Sequence, residues 1–470
     1  MKLGLCLTLL LSSGVFANTS EFHKLWFSGT PQEAFAKAKK EKTSMLLYWG
    51  AVWCPPCNEL KAEIFSKPEF SHLTASLLRV YLDGDSKEAQ IWGEKLKASG
   101  YPTVLLLSPE GKELFRFSSG VNWAEFKEAM EVAMQAQGSF DDALHQALTQ
   151  KELAPSVWKL LAYTRWAPED TSVEDRLRYL EKREALIGKI PARFPAEKAL
   201  LIAGLFDEVL ASEKEPGMKA FGTRLQTRGK GYLEFMLGSN ASRMASREAL
   251  IYNGVSLLEW AQTHLSKSEF SELGKQWNQT MEFLRKSENV SRDLKMWSLY
   301  PQYWIAEKEA KKEQMAVFKS LVEQAVQDVD AQAKTAYERH SVISSAASLL
   351  AKVGSYPQAE ALLEKELKTT DTPWYYQSSM ARLMEKQGRK ADALLWSQRA
   401  RDSAKGTTTR LEWMASDLLL NVELAPEQKE KIKALASDYF ALARSLPDGL
   451  KGRNAKRAKR IETALKPYAN

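Results

Sequence analysis

Trp53-Cys54-Pro55-Pro56-Cys57 decides the reading of this chain, because it holds two of its three cysteines. The third, Cys6, lies in an apolar N-terminal run that is expected to be cut away. Two thiols three residues apart at the start of a helix can close a small reversible disulfide. A helix N-terminus also stabilises a thiolate on the first sulfur, through its free N–H groups and the positive end of its dipole. A disulfide scaffold needs more cysteines, and a structural zinc site needs two more ligands at suitable spacing. Redox chemistry is the reading these residues favour.

The segments around the motif alternate between helical and strand-like runs. Met45-Leu46-Leu47-Tyr48-Trp49 is a short apolar run of strand length that leads straight into the cysteines. Upstream, Gln32 to Lys42 is amphipathic, with Ala34, Phe35 and Ala38 on one side. Downstream come a helix from Glu59 to Phe65, a buried strand from Leu77 to Leu82 and a helix from Glu88 to Ala98. Thr103–Leu107 and Glu113–Phe117 flank Ser108-Pro109-Glu110-Gly111-Lys112, a hairpin connection, and Trp123 to Met134 is helical. The predicted unit is an α/β fold with a mixed central sheet and helices on both faces.

With Gly100-Tyr101-Pro102-Thr103 before a second apolar strand, the Trp-Cys-x-x-Cys motif resembles the signature of the thioredoxin fold. Phe22 to Met134 is similar to exported thioredoxin-like domains, in particular to those carrying Phe65-Ser66-Lys67-Pro68-Glu69-Phe70 after the active-site helix. The resemblance implies an exposed attacking thiol at Cys54, a buried resolving thiol at Cys57 and a redox-active Cys54–Cys57 disulfide. It also implies a cis proline at Pro102, which leaves the backbone of Tyr101 free to pair with a substrate strand. Trp53 either packs beside the active site or is plain core; Tyr101 either tunes substrate fit or only fills the groove. Thioredoxins usually carry a buried acid six residues before the first cysteine. Tyr48 stands there, and a phenol that titrates near 10 is a poor proton acceptor. Asp83, at the end of the second strand, either partly substitutes for that acid or, the reading favoured, is a turn or cap residue. Pro55 and Pro56 fit the first helical turn but have no N–H to offer the Cys54 thiolate, and no His sits between the cysteines. The expected potential is in the reducing half of the range of about −270 to −120 mV known for the fold.

The N-terminus predicts the compartment. Lys2, an apolar stretch from Leu3 to Leu11, and small residues at Val15 and Ala17 have the three regions of a secretory signal, cleaved after Ala17. The run falls short of the about 20 apolar residues a spanning helix needs. The expectation is export to a bacterial periplasm, as a protein that is not integral to the membrane. The chain has 66 Lys and Arg against 59 Asp and Glu, a surplus of +7 that gives no reason to invoke nucleic acid. Lys451, Arg453, Lys456, Arg457, Lys459 and Arg460 make the last stretch more basic, and it reads as a solvated helix face.

The chain changes character near residue 138. From there to residue 470 Ala, Leu, Glu, Lys, Arg and Gln dominate, and the segment reads as helix almost throughout. Ser344, Ser345, Ala347, Leu349, Lys352, Gly354 and Ala359 recur 34 residues later as Ser378, Ser379, Ala381, Leu383, Lys386, Gly388 and Ala393. This is the period of tetratricopeptide repeats, which the segment resembles, with the glycines at the turns and the alanines where helices pack closely. The expected organisation is a signal peptide over 1–17, a thioredoxin-like domain over 18–137 and an all-α helical-repeat solenoid over 138–470, clearest over 341–405. Trp297, Tyr300, Tyr303 and Trp304 read as core between helices.

The five histidines are scattered without metal-ligand spacing, and no phosphate loop or nucleotide fingerprint occurs, so no metal and no cofactor is expected. The expected activity is thiol–disulfide exchange. Its partners would be exported proteins with disulfides and a membrane or periplasmic thiol electron donor, with the helical region for partner binding. A copper chaperone using the two thiolates, and a non-catalytic interaction module, are the alternatives.

Overall fold

The computed structural model describes residues 22–98, 100–117, 122–136, 139–150, 152–166, 172–212, 219–447 and 449–468. The expected signal peptide, Cys6 and the boundary residues 137 and 138 lie outside the described residues.

Four strands form one mixed sheet in the order β2-β1-β3-β4, with β1 Met45–Gly50, β2 Leu78–Asp83, β3 Thr103–Leu107 and β4 Glu113–Arg116. β1 runs parallel to β2 with Tyr48 opposite Tyr81, and antiparallel to β3 with Tyr48 opposite Val104. β3 and β4 form the expected hairpin, with a register shift between Leu106 and Leu107. All six residues of β1 are buried, as a central strand covered on both faces must be.

Side chains alternate across a strand, so β1 and β3 divide their residues between two cores. Met45, Leu47, Trp49, Leu105 and Leu107 face one side, where Ala34 and Ala38 of the helix Pro31–Glu41 and Ala89 of the helix Lys87–Lys95 close over them. Leu46, Tyr48, Val104 and Leu106 face the other, against the cysteine helix Pro55–Leu60, its π-turn continuation Lys61–Phe65 and the helix Trp123–Gln135. The first core is small and closed. The second is not: the same buried cluster runs on through Leu144, Trp158, Leu205 and Leu258 to Trp374, Ala400 and Trp413. The thioredoxin-like part and the helical region that follows it therefore share one core.

Every regular element described from Phe140 to Tyr468 is a helix, and an isolated bridge joins Phe117 to Thr164. Among the described residues no helix is long and apolar enough to cross a membrane. From Leu299 to Ser445 each helix packs on the next in chain order. Before that, Pro195–Ser212 packs not only on its chain neighbours but also on Pro155–Tyr163 and Asn240–Ala245. The 34-residue period is expressed as two helical hairpins, Ala336–Lys352 with Tyr356–Leu367 and Pro373–Lys386 with Lys390–Ser403. Gly354 and Gly388 close their turns at φ of 75° and 73°, a left-handed conformation that a side chain disfavours. Ala359 and Ala393 are fully buried where the paired helices touch. Trp304 is buried among the helices, and the half-buried Trp297 donates its indole N–H to Ser345 at 2.5 Å.

One buried ion pair also ties the two parts together. Arg247 donates to both carboxylate oxygens of Glu125 at 2.6 and 2.5 Å, and Glu125 itself caps the helix Trp123–Gln135 with Asn122. Removing one partner of such a pair leaves the other uncompensated in a poorly solvated place. Arg247→Met is therefore expected to cost about 3 kcal/mol of stability. Chemical denaturation checks this, and a loss below about 1 kcal/mol would place the pair with ordinary surface bridges.

Candidate active site

Cys54 is the N-cap of the cysteine helix, and Pro55 and Pro56 occupy its first two positions. Neither proline has an N–H, so Cys57 supplies the first free donor, and it points at Cys54 Sγ at 3.2 Å. The two cysteines are joined as a disulfide with their Cα atoms 5.2 Å apart. Behind them the buried Asn58 amide donates to the carbonyls of Val52 and Cys54 at 2.8 and 3.0 Å, fixing the turn into the helix. The Tyr101–Pro102 peptide is cis.

Tyr101 is held from both sides. Its hydroxyl donates to the carbonyl of Gly84 at 3.0 Å and lies 2.7 Å from the Gln90 amide. A side chain at Gly84 would collide with the Tyr101 ring, so this close approach depends on glycine. The guanidinium of Arg453 lies 4.5 Å over the other face of the ring. Glu412 holds Arg453 at 2.7 Å and Arg457 at 2.8 Å. The basic stretch is thus not solely a solvated face: two of its arginines turn inward onto a carboxylate, and one of them reaches Tyr101.

The largest departure from expectation concerns Cys54. The resemblance implies an exposed thiol, yet Cys54 is 3% exposed, and Cys57 is fully buried. The cover comes from the helical region. The helix Ala336–Lys352 packs against the cysteine helix. Trp53 lies against Tyr375 in a stacked pair at 6.0 Å and against Trp413 edge-on at 5.8 Å, with Tyr101 edge-on at the same distance. Its indole N–H is shared between Thr409 Oγ1 at 3.3 Å and Asp85 Oδ1 at 3.4 Å, while the Thr409 hydroxyl donates to Asp85. Trp53 therefore packs beside the disulfide, with most of its other neighbours contributed from beyond residue 370. Pro55 is half-buried and Pro56 exposed.

Several ionisable groups surround this centre. Burial raises the Tyr48 phenol well above its ordinary range, and Asp83 adds to the effect. Asp83 accepts the N–H of Asp85 at 3.1 Å and so acts as a turn residue. Lys61, one turn after Cys57, is 3% exposed; burial draws its ammonium down to about 8 against the attraction of Asp83, Asp371 and Asp85. Burial, reinforced by Asp83, pushes the Asp85 carboxyl up to about 7. Burial, with Asp293, pushes Glu59 up to about 7. Sequence reasoning missed Lys61, Asp85, Thr409, Trp413 and Arg453. Only Arg453, in the basic run, had left any mark there.

Residues 31–133 match the family model described as a thioredoxin-like domain. No curated protein matches the chain. Among solved structures, one titled "DsbH Oxidoreductase" is similar at 18% identity, covering 28% of this chain and 96% of its own, with a TM-score of 0.22. The matched segment begins at the helix Pro31–Glu41 and ends inside the helix Trp123–Gln135, so it contains the sheet, both cysteines and the Tyr101–Pro102 turn.

The raised Asp85 carboxyl has a sign that can be tested. Its unfolded value is about 3.9, so between about pH 4 and pH 7 the folded chain holds a proton that the unfolded chain has lost. Stability therefore falls as pH rises through that window. Asp83, Glu412, Arg453 and Lys61 are the charged groups that act on it. Asp85→Asn keeps an acceptor for Thr409 but cannot ionise. Relative to the parent, it is expected to gain on the order of 1 kcal/mol between pH 5 and pH 8. Melting curves at the two pH values check this, and an equal difference at both would remove Asp85 as the titrating group.

Proposed function

We propose that this chain is a thiol–disulfide oxidoreductase of an exported compartment, working through Cys54 and Cys57. The observation that carries the reading is the disulfide between them at the start of a helix in a thioredoxin-like fold, next to a cis-proline turn. The reactants are a disulfide R–S–S–R′ on an exported partner and a thiol donor that restores the dithiol.

In the reduced state the Cys54 thiolate attacks one sulfur of the substrate. A Cys54–S–R bond forms as the substrate S–S bond breaks, and R′–S⁻ leaves and takes a proton. Cys57, as thiolate, then attacks Cys54 Sγ, re-forms the protein disulfide and releases R–S⁻, which is protonated in turn. The substrate has gained two electrons and two protons, and the dithiol has given them. Two equivalents of a thiol donor run the same exchange backwards on the protein disulfide and leave as their own disulfide. What supports this division of roles is position in the helix: Cys54 is its N-cap, whereas Cys57 lies inside the first turn and is fully buried.

The test is trapping. Cys57→Ser is expected to accumulate mixed disulfides through Cys54, visible on non-reducing gels, and Cys54→Ser is not. Equal trapping by both variants would reverse or erase the assignment. If neither traps a partner and the parent reduces no disulfide, the domain is a docking module.

A further inference from the structure

Against the cysteine helix and the cis-proline turn the two parts of the chain leave a cavity of about 350 Å³, lined by neither Cys54 nor Cys57 themselves. Its thioredoxin-like wall includes Pro56, in the first turn of the cysteine helix, and the cis Pro102. Its helical-region wall includes Ser291 and Leu294. The floor carries Glu59, and the exposed Ala124 lies at its edge. A space of this size is at the low end of what small-ligand sites occupy, about 300 to 1,000 Å³.

Three observations bear on what can use it. Cys54 is 3% exposed, so a folded protein surface cannot be laid against it as it could against a bare thioredoxin-like domain. The covering side chain Trp413 belongs to the same buried cluster as Tyr48 and Leu106 of the sheet, with Tyr375 packed against it, so the cover is built as core and not as a lightly packed flap. The cavity adjoins both the cysteine helix and the proline turn, the two elements a disulfide partner must meet.

We infer that the helical region is a size filter, and that the site accepts a cysteinyl group only on a short, unfolded carrier admitted through this cavity. The inference rests on the exchange reading above and names its substrate class. The carrier is either a free low-molecular-weight disulfide or a cysteine on an unfolded chain; both present the same few atoms to Cys54. Tyr375, Thr409, Trp413 and Arg453 are then specificity-determining residues, because they hold Trp53 and Tyr101 under cover.

The test compares initial rates of the reduced full-length chain with three disulfides: oxidised glutathione, scrambled ribonuclease and folded insulin. At least one of the first two is expected to react tenfold or more faster than folded insulin, and which of them leads identifies the carrier. Insulin reacting as fast as both would overturn the filter while leaving the exchange activity intact. No exchange with any of the three would overturn the exchange reading itself, and the filter with it. Ala124→Trp, which fills the cavity from an exposed helix position, is expected to lower the leading rate at least fivefold with an unchanged melting curve. An unchanged rate would show that the cavity is not the route. Trp413→Ala is expected to raise the insulin rate and the alkylation of Cys54 by iodoacetamide; if it fails to fold, Thr409→Val replaces it with the same expected direction. No rise in either rate from a folded variant would mean that these residues are not the filter.

Discussion

The apolar contact between the helical region and the helices that cover one face of the sheet governs the rest of this molecule. Leu46, Tyr48, Val104 and Leu106 present that face, and the cluster they enter ends at Trp413. Burying apolar area stabilises by about 25 cal/mol per Å², whatever the source of the second surface. Here the cysteine helix and the helix Trp123–Gln135 cover the sheet, and the helices Ala336–Lys352 and Pro155–Tyr163 supply the next surface against them. Their position then fixes where Tyr375, Thr409 and Trp413 fall, and so fixes the environment of Trp53 and the disulfide.

Polar groups have been fitted into this contact under the usual constraint that a buried donor or acceptor needs a partner. Thr409 meets Asp85 and Trp53 at once, and Glu412 pairs with both Arg453 and Arg457. The Tyr48 hydroxyl is an exception among the described residues, buried without a hydrogen-bond partner. It stands where related domains carry an acid. A phenol is cheaper to bury there than a carboxylate, since an unpaired charge costs far more than an unpaired hydroxyl.

What could be read in the sequence was local. Met45–Gly50 is a strand because its apolar run has strand length, and Cys54 caps a helix because two prolines fit only its first turn. Gly354 and Gly388 were legible because a left-handed turn favours glycine and the period repeated it. The cover over Cys54 was not legible. Thr409 lies 324 residues from Asp85 and 356 from Trp53, and a contact across that distance leaves no periodic trace in either segment. Arg453 illustrates the same limit: within a basic run it is indistinguishable from its solvated neighbours until Glu412 and Tyr101 are placed beside it. The π-turn at Lys61–Phe65 was equally silent, since its residues read as ordinary helix formers.

The continuity of the core also imposes an order on biogenesis. A chain is made from its N-terminus, and the closed core between the sheet and the helices Pro31–Glu41 and Lys87–Lys95 can assemble from the first segment alone. The opposite face of the sheet is covered by the cysteine helix and the helix Trp123–Gln135, whose own outer apolar surface has no such local partner. That outer surface stays open until Trp374, Ala400 and Trp413 have been synthesised and folded back. During that interval Trp53, beside the two cysteines, lacks Tyr375, Thr409 and Trp413. Folding back of the C-terminal helices then supplies them, so the surroundings of the two sulfurs in the nascent chain differ from those in the finished protein.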